Sequence, residues 1–221
     1  MVVTNPPFGG MEEDGIETNF PATFRTRETA DLFLVLIMQL LKTGGRAALV
    51  LPDGFLFGEG IKTRIKEKLL EDCNLHTIVR LPNGVFAPYT GIKTNLLFFT
   101  KGTPTQHIWF YEHPYPPGVK SYNKTKPMKI EEFDVEAAWW GTEADGFKHR
   151  VENEYAWKVS LENIKARNYN LDYKNPHIGE QEIHDPDVLL AQYAAMQNDI
   201  AALRGQLKGI LEEALQRGVK A

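Results

Sequence analysis

Along its N-terminal half the chain alternates short apolar runs with segments whose apolar residues recur at helical spacing, and this alternation restricts it to one fold class. Met1-Val2-Val3-Thr4, Ala47-Ala48-Leu49-Val50-Leu51, Thr77 to Leu81 and Thr94 to Thr100 read as strands. The unbroken apolar run at Ala47 to Leu51 is that of a strand covered on both faces. A polar loop, Met11 to Arg27, leads to an apolar helix over Thr29 to Lys42, N-capped by Thr29 and stopped by Gly44-Gly45. Ile61, Ile65 and Leu69 mark a second helix to about Asp72. Strand, helix, strand, helix, strand, loop, strand is the order of half a doubly wound sheet, so the fold class is α/β.

Composition adds softer bounds. With 221 residues, 43% hydrophobic and 24% charged, the chain has room for one core and an appendage. A net charge of −4 argues against a uniformly basic nucleic-acid-binding surface, so any grip on phosphates must come from local patches or a partner. The single cysteine, Cys73, excludes an internal disulfide and fits a reducing cytoplasm; its place late in a helical pattern makes it a packing residue. No signal-peptide pattern and no apolar run of about 18 residues is present, so neither secretion nor membrane spanning is expected.

The first strand runs directly into Asn5-Pro6-Pro7-Phe8. Two consecutive prolines fix φ and cannot continue a ladder, which freezes the corner and turns its remaining groups outward. Those groups are the Asn5 amide oxygen, the Pro6 carbonyl and the flat ring of Phe8. Together they can accept two N–H bonds from a planar amino group while Phe8 stacks on the ring that carries it. An exocyclic amine on a nucleobase is the matching substrate.

Asn5-Pro6-Pro7-Phe8-Gly9-Gly10, followed by Gly44-Gly45-Arg46-Ala47-Ala48, Leu51-Pro52-Asp53-Gly54 and Gly91-Ile92-Lys93-Thr94-Asn95-Leu96-Leu97-Phe98-Phe99, resembles the N6-adenine DNA methyltransferases, in the form of the modification subunit of type I restriction-modification systems. The resemblance implies the second half of a Rossmann-like, S-adenosylmethionine-dependent methyltransferase sheet. It implies Asn5, Pro6, Pro7 and Phe8 as catalytic residues and a second aromatic wall from the loop Leu81 to Tyr89, either Phe86 or Tyr89. Lys93 stands at the strand-end rim where DNA would pass. The main S-adenosylmethionine site is expected upstream of Met1, since no Gly-rich strand-turn-helix precedes the corner and Phe57-Gly58-Glu59-Gly60 lacks a third glycine. The chain is thus expected to be the C-terminal portion of a modification subunit, inactive alone and holding no cofactor tightly. The partners implied are DNA, the specificity subunit, which reads the recognition sequence, and the restriction subunit.

Residues 1–101 are read as the methyltransferase half, 102–184 as an irregular α+β extension and 185–218 as a heptad helix. The extension clusters Pro114, Pro116 and Pro117, with short strands at His107 to Tyr111 and Tyr155 to Val159. Trp139-Trp140 reads as a cover over the sheet, because isolated aromatics pack more often than they bind. Asn168-Tyr169-Asn170-Leu171 resembles a segment closing the methyltransferase part of the same subunits. Asp185-Pro186-Asp187 is a strong helix start. Leu189, Tyr193, Met196, Ile200, Leu203, Leu207, Ile210 and Ala214 then recur at alternating steps of four and three, a coiled-coil seam that needs a partner helix. By resemblance the partner belongs to the specificity subunit; folding back onto its own domain and a homodimer are the alternative covers.

Other charged residues are read conservatively. Lys62, Arg64, Lys66 and Lys68 form a solvated face balanced by Glu67, Glu71 and Asp72. Asp53 fits either function or ordinary Pro-Asp-Gly turn chemistry. The six histidines show no ligand spacing, so no metal is expected. Beside the DNA methyltransferase reading stand two others: a protein-glutamine methyltransferase sharing the corner, and a non-catalytic assembly piece.

Overall fold

The structure, a computed structural model, describes residues 1–178 and 186–218. They divide into two compact units, Met1–His177 and Ile178–Ala221. The first is built on a mixed six-stranded sheet of order β1-β2-β4-β3-β5-β6. The strands are β1 Val2–Thr4, β2 Arg46–Pro52, β3 Cys73–Arg80, β4 Thr94–Lys101, β5 His107–Glu112 and β6 Ala156–Ser160. β1 runs parallel to β2, and β3 parallel to β5. Such pairs need a crossover, which α1 (Thr29–Leu40) supplies between the first two. β4 instead lies antiparallel between β2 and β3, reached by the loop 81–93, and β6 pairs antiparallel with β5.

One face of the sheet carries the main core. Leu49, Leu51, Leu97 and Phe99 point into it and meet Leu34 of α1 with Ile65 and Leu69 of α3 (Ile61–Asp72); each is at most 2% exposed. Fully burying such a side chain stabilises by roughly 1.5–3 kcal/mol. The opposite face is capped at its β3–β5 end by α4 (Asp134–Trp140). There Trp139 and Trp140 pack on a second cluster around Val79, Leu81 and Tyr111, the covering role expected of them. Arg150, 5% exposed, threads this cover: its guanidinium carbon sits 3.8 Å from the Phe147 ring centre and 4.6 Å from that of Trp139, and Nη1 donates to Thr77 Oγ1. Cation–π contact and hydrogen bonds replace the water it gave up.

Several expectations need correction. β2 is buried on one face only; Ala48 and Val50 remain half-exposed because α4 stops short of them. Thr29 is the first helical residue of α1, and Glu28 occupies the N-cap position without a side-chain cap. Thr29 N donates to Gly10 O (3.0 Å) and the Glu28 carboxylate is drawn to Lys62, so tertiary partners displace the local cap. α1 ends at Leu40, short of the expected Lys42. β3 begins at Cys73, directly after α3, so the cysteine is a buried strand residue rather than a helical one. The α3 cations form a solvated face only in part: Arg64 is exposed and Lys68 pairs with Asp72 at 3.0 Å, as expected, whereas Lys62 and Lys66 turn inward. Lys66 is fully buried and donates to Leu56 O and Gly58 O, both at 2.8 Å, closing the C-terminal end of α2 (Asp53–Phe57). Lys62 pairs with Glu28 and with Asp31 at 2.6 Å. The short helices α2, α4 and α5 (Leu161–Ala166) carried no sequence signal strong enough to read.

The second unit contains α6, Pro186–Gly218, a helix of 33 residues. Leu190, Tyr193, Met196, Ile200, Leu203, Leu207 and Ile210 are exposed on it. Asp185 and the side chains of Leu189 and Ala214 lie outside the described residues.

Candidate active site

The corner sits where β1 ends, at the C-terminal edge of the parallel pair β1–β2. Asn5 and Pro7 are exposed, Pro6 is buried and Phe8 half-buried. Neither the Asn5 amide nor the Pro6 carbonyl makes a hydrogen bond among the described residues, so both acceptors stay available. Gly9 has φ +68°, a left-handed turn that an L side chain resists. A Cβ on Gly10 would stand 2.9 Å from Thr29 Oγ1, so a larger residue there would make the Thr29 side chain shift where the corner closes onto the start of α1. The bridge Met11↔Glu28 and the bond Glu12 N to Arg27 O tie the ends of the polar loop together behind it.

Across from the corner, the loop 81–93 presents Phe86. Its ring meets Phe8 edge-on, with centres 5.2 Å apart and planes at 79°. Tyr89 is 93% exposed. Of the two aromatics the sequence left open, the fold therefore brings Phe86 to the corner. Lys93 is exposed at the far end of the same loop, where its carbonyl accepts from Asp53 N at 2.8 Å.

A polar frame that sequence reasoning missed fixes the loop's origin. Arg80, the last residue of β3, donates Nη2 to Asp53 Oδ1 (3.2 Å), pairs with Asp172 Oδ1 (2.8 Å) and donates Nη1 to Tyr173 O (2.7 Å). Asn95 Nδ2 joins Asp53 Oδ1 at 3.1 Å. Asp53 is thus a structural carboxylate gathering three strand ends, and its ambiguity in sequence is resolved toward support. A cation ending a strand just before a long loop was the available signal for Arg80.

The donor set at the corner suits the methyl acceptor rather than the methyl donor. It offers two oxygen acceptors and a ring, while Asp53, the carboxylate at the neighbouring strand end, is already engaged by Arg80 and Asn95. A cavity of about 840 Å³ lies at the opposite strand ends, lined by Met1, Arg46, Ala48, His76, Phe98 and Trp140 among others. No cluster of metal-ligating side chains occurs among the described residues, and none of their helices is long and apolar enough to cross a membrane.

The chain is similar to several known proteins. The chain is 68% identical over 215 residues to the type I restriction enzyme EcoEI methylase subunit of Escherichia coli, covering 97% of this chain and 44% of that protein. It is similar to a structure solved for the complex assembly and conformational transition of the type I R-M system: 39% identity, TM-score 0.75, 96% of this chain and 45% of that one. It is also similar to the crystal structure of the type I restriction enzyme EcoKI M protein: 29% identity, TM-score 0.61, 92% of this chain and 48% of that one. The chain spans less than half the length of each of these relatives. Residues 1–185 match the family described as N-6 DNA Methylase, and that match, over most of the chain and including the corner, shows that the chain belongs to this family.

Proposed function

We propose that this chain provides the acceptor side of the active centre in the modification subunit of a type I restriction-modification system, methylating N6 of adenine in DNA. The observation that carries the reading is the pair of unpartnered acceptors, Asn5 Oδ1 and Pro6 O, held beside Phe8 at a strand end. The order β1-β2-β4-β3, with one antiparallel strand inserted, supports the reading as the second half of a Rossmann-like methyltransferase sheet. The family match favours adenine in DNA over protein glutamine.

Adenine N6 is a poor nucleophile because its lone pair is delocalised into the ring. When Asn5 and Pro6 accept both amino hydrogens, the nitrogen can pyramidalise, and the two hydrogen bonds strengthen as positive charge develops on it. S-adenosylmethionine supplies the electrophilic methyl group when bound. The base reaches the corner only after leaving the duplex stack, which costs a few kcal/mol and is offset by stacking. Phe8 is one face, and Phe86 is favoured over Tyr89 as the other by its contact with Phe8. Lys93 would meet a phosphate at the rim.

The exposed apolar row on α6 is the proposed docking seam, a coiled-coil element for a helix of the specificity subunit. Similarity to a structure concerned with type I complex assembly supports this partner and the restriction subunit.

The test is labelled methyl transfer into an adenine-containing duplex by the assembled modification enzyme carrying this sequence. Asn5→Ala should slow the single-turnover step by about 2.7–4 kcal/mol, as losing a donor to developing charge does elsewhere, with DNA affinity kept. Normal turnover in that variant refutes the mechanism.

A further inference from the structure

The lysines of the extension are distributed unevenly. In a chain of net charge −4, residues 114–129 hold Lys120, Lys124, Lys126 and Lys129 and no carboxylate. All four are exposed, and none is in an ion pair among the described residues. Glu131 and Asp134 follow the stretch, while Glu132 is turned inward to accept from Lys129 N and the Tyr122 hydroxyl.

The segment is organised around a tight turn at Asn123 to Lys126. Asn123 and Lys126 form a bridge, and Asn123 Oδ1 accepts from Thr125 N, Thr125 Oγ1 and Lys126 N within 3.0 Å. Its anchor is Tyr122, 5% exposed, whose ring lies 5.3 Å from that of Tyr115. Both tyrosines grip the loop that carries Phe86. Tyr115 Oη donates to Asn83 O at 2.9 Å, and Gly84, at φ +81°, passes so close that a Cβ there would stand 2.8 Å from Tyr122 O. A braced backbone segment thus carries four exposed ammonium groups beside the loop that bears Phe86.

We infer that the segment Val119 to Lys129 is a phosphate clamp, holding the duplex backbone next to the point where the base leaves the stack. The inference rests on DNA being the substrate. A polyanion with evenly spaced phosphates matches lysines on a turn better than an acidic peptide does, because each ammonium acts as a free-swinging point charge needing no partner geometry.

Binding of a fluorescent duplex to the full chain, followed by anisotropy over a range of salt concentrations, tests it. Lys120, Lys124, Lys126 and Lys129→Gln, all exposed, should leave the thermal unfolding curve unchanged. Each phosphate that is no longer neutralised lowers the slope of log K against log salt by about 0.9, so the quadruple variant should reduce it by about 3.6. A matched variant, Lys42, Arg64, Lys148 and Lys165→Gln, should keep most of the slope. Equal reductions in both variants, or an unchanged slope in the first, overturn the clamp while leaving DNA as substrate intact. Absence of duplex binding by the unaltered chain, or capture of poly-glutamate in preference to DNA, overturns the clamp and counts against the DNA reading as well.

Discussion

The Phe8–Phe86 contact predicts a specific non-additivity in base capture. With ring centres 5.2 Å apart and edge-on, the two rings leave no slot for a base, which needs about 7 Å between parallel faces at ordinary van der Waals spacing. Admitting adenine therefore breaks their contact, about 1 kcal/mol, and gains two stacks of about 2 kcal/mol each. Phe8→Ala or Phe86→Ala removes one stack but also the contact to be broken, a net loss of about 1 kcal/mol, roughly fivefold in affinity. The double variant forgoes both stacks and loses about 3 kcal/mol, so the two substitutions together should exceed their sum by about 1 kcal/mol, the energy of the closed contact. Tyr89→Ala, at a side chain 93% exposed, should change little. The assay is the affinity of the assembled enzyme for a duplex carrying 2-aminopurine at the target base, with its fluorescence reporting flipping. Losses additive within about 0.3 kcal/mol would show that the rings do not close on each other in solution. A large effect at Tyr89 would reassign the second wall.

Burial, with the Arg150 guanidinium second, pushes His76 down to about 3. Its ring lies against Phe147 and Trp140, with Nδ1 at Thr77 Oγ1. The unfolded chain takes up a proton near pH 6.5 that the folded chain refuses, so this stability is complete above pH 6.5 and lost as pH falls toward 3. Between pH 7 and 5 urea unfolding should show about 2 kcal/mol of loss that His76→Gln abolishes; identical losses in the two proteins would contradict the placement. Lys66 is lowered to about 8 by burial, so stability should rise from pH 8 toward 10 as the folded amine sheds its proton first. Lys66→Met should flatten that rise, and a variant that keeps it would exclude Lys66 as the source. Light scattering at about 100 μM, where a dimer of micromolar affinity would be mostly assembled, should show the chain associating through α6. A version ending before Pro186 that retains the same mass per particle would clear the seam of that role.

Which parts of this molecule were legible follows from how local their causes are. The strands around Ala47 to Leu51 and Thr94 to Thr100, and the helix from Ile61, announce themselves because burial imposes a period on neighbouring residues. The corner was legible because consecutive prolines restrict geometry without help from the rest of the chain. Lys66 was not: its charge pattern matches a solvated face, and only the carbonyls of Leu56 and Gly58, brought from another helix, explain a buried ammonium. Thr29 is not a cap for the same reason, since the distant Gly10 carbonyl accepts its N–H and Thr29 is taken into the first turn of α1. The choice between Phe86 and Tyr89 depended on the path of a loop braced by Tyr115 and Tyr122 from far along the sequence. Arg80 and Asp172, 92 positions apart, likewise meet only once the sheet exists.

Among the described residues, the antiparallel strand β4 is the one strand that pairs with both the β1–β2 pair and the β3–β5–β6 group. Opening either of its ladders would divide the sheet, so the amides of Leu97 to Phe99 should exchange with solvent only through whole-unit unfolding, the slowest route that the unit offers.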